Sequence, residues 1–193
     1  ELQPAKGAAM DAIWETGSGV PMYLIQVPDS STGSNSVQLL GIPGLASFLY
    51  TGSFSGTIKG LNQLPQDELP PVEMVFWSFR LMTILGSLFI IEALSGLYLQ
   101  KSGKLYTSDK YLKLLMWSIP LPYIAITAGW IVAEVGRQPW IVYGLLKTAN
   151  GISSVPISDV FLSVVLICAL YLVLIVFEIY LIKKTVVNAT GAE

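Results

Sequence analysis

The stretch 129–140, GWIVAEVGRQPW, closes an apolar run long enough to lie in a membrane. It places Glu134 in the last turn of a hydrophobic helix and Arg137 just beyond it, with Trp130 and Trp140 on either side. A carboxylate in such a segment is costly and by default marks function. An interfacial ion pair with Arg137 is one reading; an anionic ligand or proton carrier held by Arg137 is the other. Trp130 lies one helical turn before Glu134, so both project from one face. It reads either as a belt tryptophan at the membrane boundary or as the wall of a cofactor pocket.

Working outward, the apolar residues cluster into three spans of roughly the 20 residues a membrane helix needs. They run from about Val72 to Leu99, Tyr111 to Val135, and Val160 to Ile182. Pro120 and Pro122 near the start of the second span predict a kink there. Composition agrees: the chain has 193 residues, 53% hydrophobic and only 12% charged, with mean hydropathy +0.62. Soluble domains carry about a quarter charged residues. The predicted fold is all-α, a polytopic membrane helical bundle with three transmembrane helices preceded by an extramembrane region, divided at residues 1–70 and 71–193.

Residues 1–70 are polar and rich in turn formers. PAKGAAMDAIWET (4–16) predicts a short helix with Pro4 in its first turn, and PDSSTGSNS (28–36) a loop. LLGIPGLASFLYTG (39–52) is apolar but too short to span, which suits an interfacial segment or one packed on a partner. The first residue is Glu1 rather than Met, the mark of a processed chain or part of a longer one.

Basic residues set the expected orientation. Lys101, Lys104, Lys110 and Lys113 lie between spans one and two, and Lys183-Lys184 follow span three. The positive-inside rule places these in the cytoplasm. Residues 1–70 and 136–158 then share the outer face, and Arg80, Met82, Trp130, Glu134 and Arg137 lie at similar depth beneath it.

Several chemistries are excluded or narrowed. The net charge is −2, with no arginine-rich stripe, so nucleic acid is not an expected partner. The chain has one cysteine and no histidine, so a metal held here needs another side chain or a partner's histidine. In VFWSFRLMTILG (75–86), Met82 reads as packing or as a thioether haem ligand. Gly86, one turn on, leaves room for a flat macrocycle. Arg80 reads as a snorkelling cation or as a partner of a haem propionate. Glu92, deeper in the span, suits either a proton route or a polar pair, and Glu178 reads as interfacial.

GWIVAEVGRQPW, FWSFRLM (76–82), QPAKGAAMDAIWET (3–16) and LICALYL (166–172) together resemble subunit I of the cytochrome bd quinol oxidases. The resemblance covers nearly the whole chain and corresponds to the family's quinol-binding loop and last three helices. It implies a membrane quinol:oxygen oxidoreductase of the respiratory chain in the prokaryotic cytoplasmic membrane, oxidising quinol outside and reducing O2 to water. It further implies Met82 as axial ligand of a low-spin haem b, with Arg80 beside that haem. Glu134 would be axial ligand of a high-spin haem b, Trp130 would lie between that haem and haem d (or a haem b in its place), and Arg137 would support the site. Lys6 and Asp11 match loop positions linked to quinol oxidation; the family often has glutamate where Asp11 stands. Implied partners are an N-terminal portion of subunit I supplying histidine ligands, subunit II, small accessory subunits and lipid. Two other readings stay open: a bd-like subunit passing electrons to another acceptor, and a transporter or channel module gated by Glu134 and Arg137.

Overall fold

The computed structural model describes residues 3–190. The chain divides into a compact unit through Gly151 and a second unit from Ile152 onward. In the first unit, helix α1 (Pro4–Met10) starts on a proline, where the missing N–H costs nothing. A short ribbon pairs β1 (Gly17–Ser18) with β4 (Thr57–Ile58). Between them lie the hairpin β2 (Met22–Asp29) and β3 (Ser34–Ile42), then helix α2 (Leu45–Thr51). Of the expected loop at 28–36 only residues 30–33 form the hairpin turn, since Pro28 and Asp29 end β2 and pair with Asn35 and Ser34 at the start of β3; the apolar 39–52 segment is shared between β3 and α2.

Helix α3 (Val72–Lys101) has 30 residues, with Glu73 in its first turn and Lys101 in its last, each at the end its charge favours. At 1.5 Å per residue it is about 45 Å long, more than the roughly 30 Å hydrocarbon core. The second span is broken as its prolines predict. Helix α4 (Asp109–Ser118) ends before Pro120, and α5 (Leu121–Glu134) continues after it. A small ribbon, β5 (Trp140–Val142) with β6 (Leu146–Lys147), follows α5. The second unit is dominated by α6 (Ile157–Thr190), apolar on every side, with mean hydropathy 3.2 in its core window. Among the described residues three helical segments are long and apolar enough to cross a membrane: Gln66–Lys101, Asp109–Glu134 and Ile157–Asn188.

The core of the first unit lies where residues 1–70 meet α3 and α5. Ala8, Ala9 and Ala12, with Ile13 and Trp14, pack with Ala46, Leu61, Val72, Val75, Phe76 and Val132. Alanines on α1 allow its backbone to approach α3 closely. Region 1–70 therefore caps the end of the α3–α5 pair opposite the lysine-rich turn. Deeper in the pair, buried Glu92 meets Ser118, whose hydroxyl lies against its carboxylate, and the Tyr111 hydroxyl donates to the Glu92 carbonyl at 2.9 Å. Glycine at 96 leaves the space that the end of Tyr111 occupies. Of the two roles open to Glu92, the geometry provides the polar pair.

Phe76 is fully buried between α3 and the capping region. Phe76→Ala is expected to cost about 3–5 kcal/mol. In limited proteolysis, cleavage within residues 11–60 should accelerate well before the spans are cut; an unchanged cleavage rate would contradict this packing.

Candidate functional site

The site is built on α1. On an ideal helix Lys6 and Asp11 would not share a face, so a joint contact needs an irregular backbone; the backbone is irregular here, and it takes the two side chains to different helices. Helix α1 stops at Met10, and Ala12 turns the chain with φ of +44°. That left-handed conformation is strained for a residue with a side chain. Side-chain amides hold the turn: Gln26 Nε2 donates to the carbonyls of Asp11 and Ala12, both at 3.2 Å, and Asn35 Nδ2 donates to Ala12 at 3.0 Å. Asn35 Oδ1 in turn accepts from the Trp14 indole at 3.0 Å.

The turn sends Asp11 into the protein, where it is 4% exposed. Arg80 Nη2 donates to Asp11 Oδ1 at 3.1 Å, and the Tyr50 hydroxyl lies 3.0 Å from Oδ2. The Arg80 guanidinium also sits over the Phe76 ring, 5.0 Å from its centroid. Burial pushes the Asp11 carboxyl above the ordinary carboxylate range, against the opposing pull of Arg80 and the Tyr50 hydrogen bond. Burial, then the neighbouring Asp11 charge, pushes the Tyr50 phenol far up, so it keeps its proton.

Lys6 goes to the other membrane helix. Its Nζ donates to the Ala133 carbonyl at 3.3 Å, at the α5 C-terminus where carbonyls lack helical partners. Gly136 makes room: a Cβ there would run into the Val132 carbonyl oxygen and come within 3.2 Å of the Lys6 side chain. Burial lowers the Lys6 pKa and the nearby Arg137 lowers it further, while Glu134 opposes both.

Glu134 and Arg137 form an ion pair at 3.6 Å, with Glu134 half exposed and Trp130 63% exposed on the same side of α5. Within an apolar span, that face is open to a further helix, a cofactor or lipid. Met82 is half-buried against α5; its Sδ lies 3.3 Å from where a Gly129 Cβ would be. A Cβ at Gly86, one turn on, would meet nothing within 4 Å. The structure thus places Met82 in the α3–α5 crevice and Glu134 with Trp130 on the open face of α5. Behind Arg137, Lys147 crosses the ring of Trp140 at 5.2 Å and pairs with Asp67 at 2.6 Å.

Among the described residues, three buried donors have no hydrogen-bond partner: Arg80 Nε, Arg137 Nε and Trp140 Nε1. One lies two residues from Met82; two lie just beyond Glu134. Their chemistry suits anionic oxygen acceptors such as haem propionates. No group of three or more His, Cys, Asp or Glu able to hold a metal occurs among the described residues. Near Asp11, a cavity of about 400 Å³ is lined by residues including Asp11, Trp14, Tyr23, Gln26, Asn35 and Gln38. It falls within the range of small-molecule sites, about 300–1,000 Å³. Tyr50, Gln26 and Asn35 carry no sequence signal for these roles, because each meets its partner across long separations in sequence.

Residues 1–190 match the family model for cytochrome bd terminal oxidase subunit I. Cytochrome bd ubiquinol oxidase subunit 1 of Bacillus subtilis is 33% identical, over all of this chain and 43% of the relative. Cytochrome bd-II ubiquinol oxidase subunit 1 of Escherichia coli is 40% identical, over 95% of this chain and 48% of the relative. The solved bd oxidase of Geobacillus thermodenitrificans superposes with a TM-score of 0.69 at 34% identity, covering 91% of this chain and 40% of that one. The chain spans less than half the length of these relatives.

Arg80→Met leaves the Asp11 carboxylate buried without its charge partner and is expected to destabilise the first unit by about 3–5 kcal/mol. Adding Asp11→Leu should recover much of that loss in thermal unfolding of the assembled protein. Strict additivity of the two changes would contradict a coupled pair.

Proposed function

The chain belongs to the cytochrome bd terminal oxidase subunit I family, and from that premise we propose that it is the quinol-loop and last-three-helix portion of a membrane quinol:oxygen oxidoreductase. The observation that carries this reading is the reach of α1, which sets Lys6 on the end of α5 and Asp11 on Arg80 of α3, beside a ligand-sized cavity. Residues 1–70 form the outer quinol-binding region, residues 71–193 the membrane region, and the C-terminus is cytoplasmic.

Two quinols give four electrons and four protons outside, and O2 takes four electrons and four cytoplasmic protons to form two waters. In this reading Asp11 accepts a quinol proton and Lys6 fixes the loop over α5. Haem, when bound, supplies electron acceptance and oxygen reduction. Met82 would hold a low-spin haem b, whose other ligand is a histidine from the N-terminal portion of subunit I. Glu134 would hold a high-spin haem b, where metal charge offsets the carboxylate's desolvation. Trp130 would face that haem and haem d, or a haem b in its place. The unpartnered donors of Arg80, Arg137 and Trp140 suit propionate oxygens. Subunit II and accessory subunits would complete the complex. The exposed carboxylate face of α5 and the orphaned donors favour a cofactor-bearing helix over a transport gate.

Met82→Leu in the assembled complex should remove the low-spin haem band from the reduced-minus-oxidised spectrum and spare the high-spin band; Glu134→Ala should do the reverse. Unchanged spectra contradict these ligand assignments. Quinol-dependent oxygen uptake at an oxygen electrode is expected; haem reduction by quinol without oxygen uptake would instead support another electron acceptor.

A further inference from the structure

The Tyr50 hydroxyl stands between two acceptors, 2.9 Å from the Gly7 carbonyl oxygen and 3.0 Å from Asp11 Oδ2. A phenol has one hydrogen to give and lone pairs to receive with. When Asp11 is ionised, that hydrogen goes to the carboxylate. When Asp11 is protonated on Oδ2, its O–H donates to the phenol oxygen, and the phenol hydrogen turns to the Gly7 carbonyl. Arg80 holds Oδ1 in both states. Neither state leaves the carboxyl or the phenol unsatisfied, and no heavy atom has to move.

Local structure serves this arrangement. Tyr50 reaches across from α2 to α1, and glycine at position 7 admits its ring: a Cβ there would come within 3.2 Å of Tyr50 Cε1. Gln26 from β2 fixes the Asp11 backbone through its carbonyl. Among the described residues, the charged and titratable groups facing the carboxyl are Arg80 from α3 and Tyr50 from α2; α1 itself contributes none. A buried carboxyl with a cation on one oxygen still needs a partner on the other oxygen in each charge state. A hydroxyl that turns serves both, donating to the anion and accepting from the acid.

We propose that Tyr50 is a positioning residue whose hydroxyl, by turning between Asp11 and the Gly7 carbonyl, lets the buried Asp11 carboxyl take up and release a proton in place. The proposal rests on the reading of residues 1–70 as the quinol region, which makes a quinol hydroxyl the proton's source. Tyr50 acts without ionising, since its own phenol keeps its proton throughout.

The test is an infrared pH titration of the carboxyl C=O stretching band in the assembled complex, assigned to Asp11 by its loss in Asp11→Asn. Tyr50→Phe keeps the ring and removes the donor that favours the anion. The Asp11 midpoint should therefore move upward by about one pH unit, and the acid limb of kcat for quinol oxidation should move to higher pH with it. Replacing Tyr50 by a fluorinated tyrosine, a stronger donor of the same shape, should move the midpoint downward; this variant covers the case in which Tyr50→Phe loosens the fold. An Asp11 band that does not titrate in the unmodified complex, or midpoints equal in all three proteins, would overturn the proposal. Midpoints that shift as expected in a complex that oxidises no quinol would support the role of Tyr50 and refute the quinol reading.

Discussion

The buried ion pair between Asp11 and Arg80 is the constraint on which the rest of this structure depends. Two charges withdrawn from water are expensive to hold, and packed apolar side chains would often be as stable. The arrangement is nonetheless built with care. A strained residue, Ala12, turns Asp11 inward, two side-chain amides hold the turn, and a phenylalanine ring backs the guanidinium. The pair joins the capping region to the membrane helix two residues from Met82. A contact that contributes little net stability, placed there, makes more sense as a link between two working parts.

Helix α1 is short, yet it and the residue after it touch both long helices of the first unit, α3 and α5. Its first turn sends Lys6 to the carbonyl end of α5, next to the Glu134–Arg137 pair, and the residue just past its end, Asp11, goes to α3. The cavity beside Asp11 therefore adjoins a residue tied to α3, and the same short helix is tied to α5 through Lys6. The GRQPW segment has a structural reason for its glycine, since a Cβ there would run into the Val132 carbonyl oxygen and crowd the Lys6 stem, and its arginine and tryptophan each carry a buried N–H without a partner among the described residues.

Much of this was legible in the amino acids. Span lengths, the break at Pro120, and the grouping of Met82 with Glu134 near one end follow from hydropathy and spacing. That Lys6 and Asp11 would not share a face of an ideal helix was legible too, but not where Asp11 goes, because α1 stops at Met10 and the turn at Ala12 directs it to Arg80. The antiparallel ribbons within residues 1–70 were not legible, because β2 ends at a proline and aspartate inside a run of turn formers, and its strands lack clean alternation. Arg80 was open to several partners, and only folding brings Asp11 to it. Tyr50 was invisible for the same reason: in an apolar segment, nothing marks a phenol whose partners lie 39 and 43 residues away.

The most direct measurement is a cryo-electron-microscopy map of the assembled complex with a quinol-site inhibitor. The account predicts the inhibitor in the cavity beside Asp11 and the Asp11–Arg80 pair intact. It also predicts iron within bonding distance of Met82 Sδ and of the Glu134 carboxylate. An inhibitor bound elsewhere, with Met82 and Glu134 facing lipid, would contradict it.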